Sequence, residues 1–100
     1  MIQSSGTQVI VSGTDAAIGT SGKPTRIFAI NILSDGTAGV VQLRNGTSAS
    51  ATLVVTEHGV ISQGKTIPYG TTGFFFPAGC FLDVSANVVG GAVSFSQEAS

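Results

Sequence analysis

Charge is the scarcest thing in this chain. Four basic and five acidic side chains make up 9% of its 100 residues, where an ordinary soluble domain carries about 25%. With Lys23, Arg26, Arg44 and Lys65 as the whole basic complement, few phosphates could be neutralised, which argues against nucleic acid as a partner. Cysteine is nearly absent too. Cys80 stands alone, so no internal disulfide framework exists. Tryptophan is missing altogether, and with it the Cys–Trp–Cys arrangement of an immunoglobulin-type sandwich. No apolar run approaches the roughly 18 residues of a membrane helix, so no membrane partner is expected. The opening "MIQSSGTQVIVSGT" has neither a basic n-region nor a long apolar h-region. The expectation is a chain made in a cytoplasm and not secreted through a signal peptide.

Apolar residues are plentiful. They form 42% of the chain, the reverse of the charge-rich, apolar-poor composition of disorder. One domain over residues 1–100 follows, with 1–6 and 97–100 as flexible ends. Its exterior must be built from Ser, Thr, Gly and Ala, which leaves little electrostatic repulsion between copies.

No stretch keeps a helical apolar stripe beyond a turn or two, whereas β-branched and aromatic runs alternate with turn clusters. "TQVIVS" (7–12) sets Val9 and Val11 on one face. "RIFAINIL" (26–33) is apolar on both faces, as a central strand is, with Phe28, Ile30 and Ile32 on one and Ile27, Ala29, Asn31 and Leu33 on the other. Asp35-Gly36 and Asn45-Gly46 mark turns. Between and after them, "VVQLR" (40–44) turns Val41 and Leu43 inward, and "ATLVVTE" (51–57) turns Leu53 and Val55 inward. "GVIS" (59–62) extends an edge, and Pro68 in "KTIPY" (65–69), lacking an N–H, belongs on an edge or at a strand end. "FLDVSAN" (81–87) sends Leu82, Val84 and Ala86 inward, and "VVGGAVSFS" (88–96) reads as a hairpin across Gly90-Gly91. The economical architecture is all-β: an antiparallel β-sandwich of seven or eight short strands, of jelly-roll or Greek-key type.

The segment "YGTTGFFFPAGCFLDVSAN" (69–87) holds four of the six phenylalanines. Faces alternate along a strand, so if Phe74 and Phe76 join the core, Phe75 points away. Inward Leu82 and Val84 likewise leave Phe81 outside. Two readings stand. A bulge at Pro77–Gly79 could reverse the alternation and bury every ring. Alternatively, Phe75 and Phe81 cover a subunit contact, each ring worth roughly 1.5–3 kcal/mol once removed from water.

Catalysis has one candidate pair, Cys80 with His58, oriented by Glu57 or Asp83. Against it, a free cysteine in an apolar strand is ordinarily a small buried hydrophobe. One His, one Cys and five scattered acids form no metal-ligating cluster. Asp15, Asp35 and Asp83 form no carboxylate pair, and the glycines form no phosphate loop or dinucleotide fingerprint. "NGT" (45–47) matches a glycosylation acceptor but reads as a turn. No catalytic, cofactor or metal residue is assigned.

Residues 26–98, ending in the pattern Phe76, Pro77, Gly79, Asp83, Ser85 and Asn87 ("F-P-x-G-x-x-x-D-x-S-x-N"), resemble the small all-β structural proteins of tailed bacteriophages. The resemblance implies a non-enzymatic virion component: a capsid decoration (cement) protein, or a small tail or fibre module. Decoration proteins of this kind are often trimers bound at capsid threefold positions. It therefore implies self-association, with a trimer favoured, and the major capsid protein or another virion protein as partner. A lectin-like module for host-surface glycan is the alternative, made thinner by a single tyrosine, Tyr69, and no tryptophan.

Overall fold

The computed structural model describes residues 3–98, with side chains from Gly6 to Gln97. Nine strands form two antiparallel sheets: β1 (Gln3–Val9), β2 (Ala16–Ala17), β3 (Thr25–Ser34), β4 (Val40–Asn45), β5 (Thr52–His58), β6 (Gly64–Pro68), β7 (Phe74–Phe76), β8 (Cys80–Val84) and β9 (Val88–Glu98). One sheet has the order β1-β9-β3-β6, with β7 also on β3, and the other β2-β8-β4-β5. No helix occurs among the described residues.

The pairing is nested. β1 pairs with β9 (Gln3 opposite Glu98), β2 with β8 (Ala16 opposite Leu82), β3 with β6 and β7, and β4 with β5 (Val40 opposite His58). The chain is thus one long antiparallel ribbon doubled back around the turn at residues 46–51. Lateral pairing of β9 with β3 and of β8 with β4 rolls that ribbon into two sheets, the winding of a jelly roll. β6 and β7 meet β3 at Ala29–Leu33 and Thr25–Ile27. They act as one edge strand broken by residues 69–73, which gives the eight strands of that fold.

Between the sheets lies a core that includes Ile27, Ile30, Ile32, Leu43, Phe76, Leu82 and Val93. Strand alternation supplies it, except where bulges intervene. In β3 the register with β9 shifts between Ile27 and Ala29, so Ile27 is buried with Ile30 and Ile32, and not opposite them. In β5 the shift between Leu43 and Arg44 leaves Leu53 exposed where strict alternation turned it inward. Ala86 is exposed as well, because it lies in the tight turn between β8 and β9 and not in the strand. Residues 59–62 form no strand; Val60 makes one bridge to Gln63.

β9 is continuous, not a hairpin. The reversal comes earlier, where the Val88 N–H donates to the Ser85 carbonyl at 3.1 Å. Gly91 lies mid-strand with φ +132° against the Asn31 carbonyl, which a Cβ would strike. The glycine pair therefore permits close strand approach and not chain reversal. Residues 3–6 and 97–98, read from sequence as flexible ends, are strand residues. Met1, Ile2, Ala99 and Ser100 lie outside the described residues.

Gln97 is buried and ties three elements together. Its amide nitrogen lies 3.0 Å from the Ile18 carbonyl, 2.9 Å from the Thr20 carbonyl and 3.0 Å from the Thr25 hydroxyl, and its oxygen accepts the Thr20 N–H at 2.9 Å. A buried amide is tolerated because its hydrogen-bonding capacity is filled.

Candidate protein interface

The register fixes which side chains face outward. On the first sheet Gln8, Val93, Ile30 and Ile67 form one row across four strands, and Val93 and Ile30 are fully buried. Rows on either side therefore face out. One is Thr7, Ser94, Ala29 and Pro68; the next is Val9, Ala92, Asn31 and Thr66. None carries charge. Four strands thus present a wall of small neutral side chains, interrupted by Asn31 donating to the Thr66 hydroxyl at 2.9 Å.

Phe75 lies on this outer wall. Phe76 is fully buried, and Phe74 faces the open edge of the sandwich, packed against Phe76 at 5.3 Å and Tyr69 at 6.1 Å between ring centroids. Phe75 stands between them with 42% of its surface exposed. Beside it, cross-strand, is Arg26, whose guanidinium sits 4.6 Å from the ring centroid and donates to the Thr72 carbonyl at 3.3 Å. The exposed ring is held in place by its cation–π contact with Arg26.

Phe81 lies on the other sheet. Its outer row is Ala17, Phe81, Arg44 and Leu53, with Leu82 and Leu43 buried on the opposite side. Phe81 is half-buried. Arg44 next to it is fully engaged: Nε donates to Asp83 at 3.2 Å, one terminal nitrogen to the Ala51 carbonyl and the other to Gln42, both at 3.1 Å. The two rings therefore occupy opposite faces of the sandwich, and no single flat contact covers both.

Sequence reasoning passed over an aliphatic group at one end of the first sheet. Val9 and Val11 are 71% and 62% exposed, above every other large apolar residue described, and Leu33 and Val89 are exposed nearby. Leu33 leans over Gly64 on one neighbouring strand and Gly90 on the other, within 2.9 Å and 3.3 Å of where their Cβ atoms would be. The shared face of Val9 and Val11 was visible in the alternation. Which side of a sheet it fell on was not.

The candidate chemistry separates. Cys80 pairs with Asn45 and His58 with Val40, the two ends of β4, about 17 Å apart at about 3.4 Å per residue. Cys80 is buried, and burial pushes its thiol from the ordinary 9.0 up to about 12, away from a nucleophilic thiolate. No grouping of three or more metal-binding side chains occurs among the described residues. Asn45 of the Asn-Gly-Thr triplet accepts the Ala78 N–H at 2.9 Å, a turn contact. At the open edge the Tyr69 hydroxyl donates to Glu57 at 2.6 Å, and burial followed by this bond raises the phenol above its ordinary 10.0.

No protein-family model, no curated protein and no solved structure matches this chain.

Proposed function

We propose that this chain is a non-enzymatic virion structural protein, a capsid decoration or cement protein that self-associates and stabilises the head of a tailed bacteriophage. The observation that carries the reading is the outer face of the β1-β9-β3-β6 sheet, whose two central rows are uncharged and which leaves Val9 and Val11 uncovered at one end and Phe75, beside Arg26, at the other. The aliphatic group of Val9, Val11, Leu33 and Val89, exposed at one end of that face, marks a place where other protein sits. Jelly rolls recur in viral shells, which adds to the sequence resemblance. Because Phe75 and Phe81 lie on opposite sheets, one copy has two faces to cover. That suits a subunit touching a neighbouring copy on one side and the major capsid protein, or another virion protein, on the other.

The test is sedimentation of phage particles through a density gradient, followed by mass spectrometry of the particle band. The protein is expected in that band at a copy number matching the capsid lattice, and particles stripped of it are expected to lose heat resistance until it is added back. Recovery only in the unsedimented fraction would contradict the assignment.

A second reading, a tail, fibre or lectin-like module binding host-surface glycan, draws on the exposed Phe74 ring beside Tyr69 and Glu57, since sugars stack on aromatic faces near carboxylates. Glycan-array binding that disappears in Phe74→Ala favours it; an empty array removes it.

A further inference from the structure

Two sheets have four edges: β1 and the broken β6/β7 strand on one, β2 and β5 on the other. An edge strand exposes unpaired N–H and C=O groups, and natural sheets blunt such edges with charge, proline, bulges or short length. Three of these four are blunted. β6 carries Lys65 and Pro68 and breaks off before β7. β5 has the register irregularity around Val54 and ends in Glu57-His58. β2 is two residues long.

β1 has none of these devices. Its seven residues, QSSGTQV, include no charge and no proline. They stay in unbroken register with β9 from Gln3 opposite Glu98 to Val9 opposite Ala92. Among the described residues no other strand pairs with it. The strand is also held ready: the Gln8 side chain donates to the Ala17 carbonyl at 2.9 Å and accepts the Gly19 N–H at 2.7 Å. Val9 and Val11, the most exposed large apolar residues described, sit at its C-terminal end.

We infer that β1 is a strand-addition edge whose occupant is β1 of a second copy. The two strands run antiparallel about a two-fold axis and join two β1-β9-β3-β6 sheets into one. Backbone is the chemistry that fits. A row of peptide donors and acceptors is satisfied in full by another extended chain. A second copy suits it because an uncharged strand meets itself without like-charge repulsion, and an antiparallel two-fold contact is self-complementary. The inference rests on the self-association proposed above and adds a contact and a stoichiometry to it. The number of copies is even.

The experiment measures solution mass by light scattering alongside amide exchange across a dilution series. It uses the wild type, Thr7→Lys/Val9→Lys, and Phe75→Asp/Phe81→Asp. Expected are an even-numbered oligomer, amides within Gln3–Val9 exchanging about tenfold faster on dilution, and loss of the oligomer in the lysine variant. Thr7 and Val9 are exposed, so the lysine variant keeps its fold, and the wild-type exchange readout does not depend on it. A trimer overturns the two-fold pairing and leaves the virion reading standing. So does an oligomer unaffected by the lysines but dissolved by the aspartates. A monomer at every concentration overturns both.

Discussion

Two adjacent phenylalanines of identical chemistry are expected to behave as different residues. Phe76 is fully buried between the sheets, whereas Phe75 covers Arg26 on the outside. Truncating Phe76 leaves a core cavity, and Phe76→Ala is expected to cost about 3–5 kcal/mol. Phe75→Ala removes an exposed cation–π contact worth about 0.5–1 kcal/mol and is expected to lower the urea midpoint of the dilute protein several-fold less than Phe76→Ala does, while weakening association. Equal losses in both variants would show that Phe75 belongs to the core. Titration makes a second residue-level prediction. Cys80 and Tyr69 both have acid groups whose folded pKa lies above the ordinary value, so folding favours the protonated form. The unfolded chain releases these protons first as pH rises. Their stabilisation is therefore complete below about pH 9 and is lost progressively as the pH rises from the ordinary thiol value of 9.0 toward the folded value of about 12. Urea melts from pH 8 upward should show falling midpoints, with a shallower fall in Cys80→Ala; a flat profile contradicts the buried, uncharged thiol.

At the scale of the strand, alternation revealed much of what matters and failed wherever a bulge intervened. Val41, Leu43, Leu82 and Val84 point inward as their runs dictate, and Phe75 points out because its strand neighbour Phe76 is buried. Ile27 and Leu53 broke the pattern because β3 and β5 each carry a register shift. Nothing in "RIFAINIL" marks the extra residue, since bulge placement is set by the partner strand and the curvature of the sheet. Gly90-Gly91 misled for a related reason. Glycine serves turns and close backbone approach alike, and only the neighbouring Asn31 carbonyl distinguishes the two. That position yields a prediction: Gly91→Ala combines a strained φ of +132° with a collision against β3. It is expected to lower stability by about 3 kcal/mol or more, read as a shift in chemical-denaturation midpoint. A neutral result would mean β9 and β3 do not meet as described.

For the molecule as a whole, short β-branched and aromatic runs between turn clusters announced a β-sandwich before any pairing was known, and the nested ribbon realises it as a jelly roll. Low charge was equally legible, but its distribution was not. The sequence showed two surplus rings, and the fold separates them onto opposite sheets while bringing Val9, Val11, Leu33 and Val89 to one end of the sheet that bears Phe75. Long-range pairing creates that grouping, with residues near the start of the chain opposite residues near its end, so local spacing could not display it. The proposed function therefore depends on this charge-poor face being covered by further copies of the chain. Sedimentation equilibrium over a wide concentration range tests this most directly. A mass at least twice the 10.0 kDa of one chain, persisting on dilution to micromolar levels, is the predicted result; 10.0 kDa at every concentration contradicts it.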